Sequence, residues 1–558
     1  MISLADKLSA QLARLRSFGK EGDDSSASIK ETTLWLENLP LGDPLKSQQA
    51  ISGELKRLNE NPTQSTKAHL AIFMLLDEKS HDLQDTLIHQ YLSNPRMSRQ
   101  AESRLWHAVY GLYLEVAMGY HNFVRQLDDP AAGNDQRDEL IPLLTLRAIR
   151  TLGQLLKWRA VRYLPANKKI WGRLQNLYRI AENRGFHRQP QLAYAEDASD
   201  DSCEAAYLHI LMLNQANSGT LYPRQIDLLD RWLYGWRSML QLDNRLDARI
   251  HNFVVDLSAD HGPRRVRKPD IKKPLRFWST AVLLQRLREI QVALKEGHAP
   301  AQLGLTENAR AAESLELLDH LLQHWSPLAS RERRRAPRAP AKHLIDVTHG
   351  LGGMIAQFKA AEIQAADSSH DAGLSQIEAE DVRVYGFVTE RTRESVSRSK
   401  AQAALDSPDV ERWVMQDESE CGYGTIVKPN DRDWLRIGAL IGVKSHGIGE
   451  WRVGIVRRLS RINDDSSSVG IETMMAPPSL VTLFNTAAPN PGASQMHSSL
   501  WLAGDNSQPE SLLIDPLHYK PGETFRIEGI PGRERVAMGI PIERSEGWMR
   551  VAIKPVND

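Results

Sequence analysis

A chain of 558 residues is too long for a single hydrophobic core, so two or more domains are expected. Its 41% hydrophobic and 25% charged residues are ordinary for a soluble globular protein. Lys plus Arg number 70 and Asp plus Glu number 70, so no global field draws the chain to nucleic acid or membrane; anion binding has to come from local clusters.

Met1–Lys20 carries Ile2, Leu4, Leu8, Leu12 and Leu15 on a helical period but lacks the continuous apolar core of a signal peptide. The longest apolar runs, such as Ala71–Leu76, are far too short to span a bilayer. Only two cysteines occur, Cys203 and Cys421, with no spacing suited to zinc, a redox pair or a disulfide framework. A reducing, cytoplasmic location is expected.

Up to about Trp325 the pattern is helix after helix. Leu105, Val109, Leu112 and Val116 form one apolar stripe at helical spacing. Further helices are expected over Leu140–Tyr163, Lys169–Glu182, Glu204–Leu213, Arg224–Leu242 and Leu275–Leu294. Polar links such as Asp128–Asp138 and Asp197–Asp201 separate them. Stacked helix pairs of a solenoid kind would suit this region, 1–325, although Trp171–Gly185, which resembles one tetratricopeptide unit, has no second copy in register. Trp106, Trp158, Trp171 and Trp232 fall in the helical stripes and are expected in the core. The basic stretch Pro263–Pro269, continued by Lys272-Lys-Pro274, reads as a solvated linker, or as a docking patch for an anionic partner.

From Arg331 short alternating segments replace the helices. Strands are expected at His343–Val347, Val382–Phe387, Arg412–Met415, Thr425–Lys428, Ala439–Val443, Trp451–Leu459 and Val469–Glu472. Turn-forming stretches such as Lys428-Pro-Asn-Asp431 lie between several of them. This spacing suggests a small antiparallel barrel over 331–476, with an insertion at about 357–407. Gly350-Leu-Gly-Gly353 reads as a flexible turn and His349 as a lone structural or exposed histidine. The tail, 477–558, contains more strand candidates, Ser511–Ile514 and Met549–Ile553 among them, and reads as a β-rich extension.

Two clusters in the β region belong together. Arg331-Glu-Arg-Arg-Arg-Ala-Pro-Arg338 precedes the first strand, and Asp417-Glu-Ser-Glu-Cys-Gly422 lies between two later ones. Arginine forks pair bidentately with phosphate and with guanine O6 and N7, and their flat faces stack on purines. A carboxylate at Asp417 can accept from guanine N–H groups, and Ser419 offers a short hydroxyl contact. Gly422 would let the backbone turn closely against a ligand. Taken singly, an arginine run is more often a solvated face, and Asp-x-Ser a turn bonded to its own backbone.

Together the two clusters resemble the RxxxR and [D/N]xSxxG motifs of the PilZ-domain family of cyclic di-GMP receptors. Arg334 and Arg338, with Arg333 and Arg335 beside them, fit the first motif. Asp417, Ser419 and Gly422 fit the second. Gly438–Val443, Trp451–Arg458 and Val469–Glu472 are similar to the family's later barrel strands. The 78 residues between Arg338 and Asp417 exceed the family's usual spacing, so the insertion has to loop out for the motifs to meet.

Residue pattern and resemblance together give the expectation of an α+β multidomain protein: an all-α N-terminal region for contact with a protein partner, a PilZ-like antiparallel β-barrel, and the β-rich tail. It implies a bacterial, non-enzymatic effector binding cyclic di-GMP as a ligand, acting on motility, attachment or polysaccharide output. The expected ligand contacts are Arg333, Arg334, Arg335, Arg338, Asp417, Ser419 and Gly422. The arginine run is expected to be ordered by the ligand. No catalytic residue, metal ligand, cofactor or nucleic-acid partner is expected; zinc, P-loop and G-x-S-x-G motifs are missing. The alternative is a helical scaffold whose barrel has lost the nucleotide. An enzyme with its chemistry in the tail is a third reading.

Overall fold

In the computed structural model the chain divides into two compact units, 1–332 and 333–558. The structure describes residues 23–40, 42–60, 67–94, 97–128, 139–267, 273–306, 309–327, 339–341, 343–361, 410–419, 421–428, 434–445, 450–463, 466–485, 496–504, 508–530, 534–545 and 547–556. Met1–Lys20, the arginine run, Val382–Phe387 and most of the expected insertion lie outside them. No helix among the described residues is long and apolar enough to cross a membrane.

Among the described residues the first unit contains ten α-helices: α1 Asp23–Glu37, α2 Pro44–Glu60, α3 Lys67–Ser93, α4 Arg99–Asp128, α5 Ile141–Val161, α6 Lys168–Asn183, α7 Cys203–Gln215, α8 Pro223–Trp236, α9 Ala281–Lys295 and α10 Ala311–Trp325. Their starts follow local chemistry. The Asn167 side chain caps α6 by accepting from the Lys169 amide, and Ser202 caps α7 through the Ala205 amide. Proline stands in the first turn of α5 and of α8. The four tryptophans assigned to the core are all buried there.

α5 is buried nearly all round, and its polar residues explain how. Arg147, Arg150, Gln154 and Lys157 recur at helical spacing, and each meets a partner from elsewhere in the unit. Arg147, fully buried, donates to Glu78 at 2.7 Å, to the Tyr120 hydroxyl at 3.0 Å and to the Ala193 carbonyl at 2.8 Å. Arg150 pairs with Asp197 through both amino groups. Lys157 donates to Asp227 and Asp230 on α8, each at 2.7 Å, and His209 on α7 meets the second oxygen of Asp230. Burial by itself would lower the Lys157 pKa, but the two carboxylates raise it, so the ammonium stays charged.

A three-stranded antiparallel sheet interrupts the helices: β1 Phe253–Asp256 in the middle, β2 Arg264–Arg265 and β3 Leu275–Trp278 at its edges. This corrects the single helix expected over Leu275–Leu294. Leu275 and Phe277 alternate on a buried face, and the helical period starts only at Ala281. The helix expected over Arg224–Leu242 likewise ends early, at Trp236, followed by a short 3-10 turn. The basic stretch is also not simply a solvated link. Arg265 donates to the backbone carbonyls of Ser326 and His324, so part of it pins the end of α10.

The second unit holds two closed antiparallel systems. The first comprises β4 Ala339–Pro340, β5 Leu344–His349, β6 Glu411–Ser419, β7 Gly422–Val427, β8 Leu440–Ser445, β9 Arg452–Asn463 and β10 Ser466–Thr473. Pairing runs β5-β8-β9-β10-β7-β6 and returns from β6 to β5, with β4 added alongside β6. The second, from the tail, comprises β11 Pro478–Asn485, β12 Met496–Leu502, β13 Ser511–Ile514, β14 Thr524–Glu528, β15 Arg535–Arg544 and β16 Met549–Pro555, closed into a barrel in the order β11-β12-β13-β16-β15-β14. Gly350, at φ 71°, turns the chain out of β5. The residues after it form a helix, α11 (350–361), where the sequence suggested a flexible turn. Leu351 and Met354 of α11 join Leu440, Val453, Ile455, Leu500, Leu502, Leu513 and Trp548 in one core shared by both barrels. The Trp548 indole and the Ser545 hydroxyl both donate to the Gly438 carbonyl at 3.0 Å.

One titration is informative in the helical unit. Burial would push the His81 imidazole down, but its hydrogen bonds to Asp77 and Glu196 outweigh that and raise it to about 10. A pKa raised on folding contributes stability that is complete below the unfolded value, near 6.5, and is lost as pH climbs through the folded value. His81→Ala is therefore expected to destabilise the protein more at pH 6 than at pH 9.5, measured by urea unfolding at both. Equal losses at the two pH values would contradict the assignment.

Candidate functional site

The candidate site is built on β6, which is paired along both sides. Its first half lies against β5, in the register Leu344 with Val414 and Ile345 with Trp413. Its second half lies against β4, Pro340 opposite Asp417 and Ala339 opposite Glu418. On the other side, β7 pairs from Val414 opposite Ile426 to Ser419 opposite Gly422. The register shifts between Met415 and Asp417, a bulge that inserts Gln416. The extra residue resets the alternation, so Val414 and Asp417 emerge on the same face.

That face is the outer one. Trp413, Met415, Thr425, Val427, Val469 and Ile471 are buried inside, whereas Val414 and Ile426 are 46% and 39% exposed. Across it runs a row of directly opposed residues: Pro340 on β4, Asp417 on β6, Gly424 on β7, Gly470 on β10 and Arg458 on β9. The two glycines leave the middle of the row without side chains, and the flanking residues fold over them. A methyl group on Gly424 would stand 2.3 Å from an oxygen of the Asp417 carboxylate. One on Gly470 would stand 3.1 Å from Cβ and 3.5 Å from Nε of Arg458. The result is a flat backbone floor with an anion over one glycine and a cation over the other.

Next to this row, Ser419, Gly422 and Glu472 stand opposite one another. The Ser419 hydroxyl donates to the Gly422 carbonyl at 3.1 Å, the self-bonded turn that is the ordinary role of such a serine. At Gly422 the close approach is to β10, since a methyl there would come within 2.1 Å of the Ile471 carbonyl oxygen. Glu472 accepts from Arg457 at 2.7 Å, and Arg457 also reaches Glu543 of the second barrel. Burial alone would lower the Arg457 pKa, but these two carboxylates raise it. Beneath the floor, burial pushes the Tyr423 phenol up, partly opposed by Arg452.

Asp417, Ser419 and Gly422 are thus brought together on one hairpin, with Asp417 and Ser419 inside β6 rather than in a loop between two strands. Arg333, Arg334, Arg335 and Arg338 lie outside the described residues. Their neighbour in sequence does not: Ala339, which follows Arg338, pairs with Glu418 beside Asp417. Gly424, Gly470 and Arg458 escaped the sequence reading. Their signal was present as glycines inside strand patterns, Gly422-Tyr-Gly424 and Val469-Gly-Ile471, which mark close backbone or ligand approach. His349 is exposed and stacks with Trp434, which also stacks with Trp413, at ring-centroid distances of 4.7 and 5.8 Å. Among the described residues no group of three or more His, Cys, Asp or Glu is placed to hold a metal ion.

Two family models match the chain. One, described as the N-terminal domain of the cyclic-di-GMP receptor FimW, matches residues 30–247. The other, described as the middle PilZ domain of the same receptor, matches residues 354–479, which include Asp417, Ser419, Gly422, Gly424, Arg458 and Gly470. The cyclic-di-GMP receptor FimW of Pseudomonas aeruginosa is 24% identical over 485 residues, 81% of this chain and 77% of that protein. No solved structure matches. Helical unit, PilZ barrel and their order along the chain agree with these matches, and the chain belongs to the PilZ-containing family of the receptor FimW.

Proposed function

We propose that this protein is a cyclic di-GMP receptor that holds its ligand on the outer face of the first barrel and relays ligand level to a protein partner through the helical unit. The observation that carries the reading is the register of β4 on β6. It sets the residue following Arg338 opposite Glu418, so the chain leaves the arginine run beside Asp417 despite the 78 residues between the motifs. The relative FimW, a cyclic-di-GMP receptor by name, supports the choice of ligand.

The chemistry follows from the two groups. Arg334 and Arg338 supply bidentate donors to the phosphates or to guanine O6 and N7. Asp417 accepts from guanine N1–H and the 2-amino group. Gly424 and Gly470 give the Asp417 carboxylate and the Arg458 side chain room to lie along the sheet. Arg333 and Arg335 add positive charge, and Ser419 keeps acceptor capacity after donating to Gly422. The protein acts as an effector rather than an enzyme, in the cytoplasm, with motility, attachment or polysaccharide export as the class of output implied by the PilZ resemblance.

Titration of the full chain with cyclic di-GMP, with GTP and cyclic AMP as controls, is the direct test. Saturable binding of cyclic di-GMP alone is expected. Arg334→Ala and Arg338→Ala should each cost about 2–5 kcal/mol, the usual loss for one partner of a partly desolvated charged contact. Wild-type affinity in both variants would leave a helical scaffold with a nucleotide-free barrel as the better account.

Gly424→Ala tests the floor. The added methyl displaces the Asp417 carboxylate, a flexible side-chain end, so the melting temperature should change little while affinity falls about tenfold or more. Unchanged affinity would remove Asp417 from the ligand contacts.

Relay to the helical unit has its own readout. A ligand shifts an equilibrium only through unequal affinity for the two states. Hydrogen exchange with and without cyclic di-GMP should therefore change in helices α9 and α10 as well as in the barrel. Changes confined to the barrel would reduce the helical unit to a tether.

A further inference from the structure

Arg458 stands apart from the arginines that the motifs single out. It lies on β9, 120 residues after Arg338, yet shares the outer row with Asp417. Its neighbour Arg457 is held by Glu472 and Glu543, whereas the Arg458 side chain is exposed and has no hydrogen bond or ion pair with another described residue. Its side chain folds back across Gly470, and the Asp417 carboxylate lies over Gly424. Those glycines are directly opposed on β10 and β7, so the two charged ends stand roughly one strand spacing apart, about 5 Å.

That separation suits one purine more than one phosphate. Guanine carries donors at N1 and the 2-amino group, and acceptors at O6 and N7 on the adjoining edge. A carboxylate satisfies the donors and an arginine fork the acceptors. Adenine presents an amino donor where guanine has O6, and would set it against the guanidinium. We infer that Arg458 is a specificity-determining residue that donates to O6 and N7 of a guanine whose donors face Asp417. This rests on the cyclic di-GMP reading above. It assigns base recognition to a residue carried by a barrel strand, in addition to the arginine run. Gly470 is part of the device, because any side chain there would occupy the path of the Arg458 stem.

The test uses the full chain as wild type, Arg458→Ala and Arg458→Lys. Affinity for cyclic di-GMP is measured by calorimetry, and affinity for cyclic di-AMP, which keeps both phosphates and replaces both guanines, by competition. Arg458→Ala should weaken cyclic di-GMP binding about tenfold or more, the usual discrimination of a bidentate base contact, with little effect on cyclic di-AMP. Lysine, a single point charge, should recover only part of the loss. An unchanged melting temperature is expected at this exposed position. Cyclic di-GMP affinity within about twofold of wild type in Arg458→Ala overturns the inference while leaving the receptor reading intact. An equal loss for both dinucleotides also overturns it, by assigning Arg458 to phosphate. A wild-type chain that binds no cyclic di-GMP removes the receptor reading, and this inference with it.

Discussion

The pairing of β6 is the constraint on which the proposed ligand face depends. One strand is bonded to β5 and then β4 along one side and to β7 along the other, so its register is set twice. A slip of one residue would carry Trp413 and Met415 out of the core, a cost that pins the strand where it is. The bulge at Gln416 then does what regular alternation cannot. It brings Asp417 to the same outer face as Val414, opposite a glycine that leaves it room. Closure of the ring follows from the same pairings and leaves the strands without a long unpaired edge.

The helical unit solves a different problem. α5 passes through its middle and has little contact with solvent, yet carries Arg147, Arg150 and Lys157. Such charges are tolerated only where opposite charge and hydrogen bonds replace water, and here three separate segments supply them. Buried pairs of this kind add less to net stability than an apolar core of the same volume. Each fits only one partner geometry, so the stripe acts on which helices assemble around α5 and in what rotation.

Much of this is legible in the amino-acid sequence, and the reasons are local. The stripes of α4 and α5, the short apolar run of β13, the alternation in β16, and the Asp417–Gly422 hairpin all carry their pattern within a few residues. What escaped depends on contacts made at a distance. Leu275–Trp278 is four residues long and abuts a strong helical period, so its strand character shows only through pairing with Phe253–Asp256. Arg458 and Gly470 belong with Asp417 only because β7, β10 and β9 lie side by side, and no spacing along the chain expresses that. Gly350 did signal a turn, but the apolar Leu351, Met354 and Phe358 behind it are a helical face packed on the shared core.

That shared core bears on how the protein is made. Gly438, at the entrance to β8, accepts hydrogen bonds from Ser545 and Trp548, the latter 110 residues further along the chain. Leu440, Val453 and Ile455 on the first barrel are covered by Leu500, Leu502 and Leu513 from the second. Domains usually fold one after another as a chain is synthesised. Here the PilZ barrel emerges from the ribosome with one flank bare and keeps it bare until Trp548 has followed. That flank is therefore completed late, together with the tail, and an excised PilZ segment would present it to solvent.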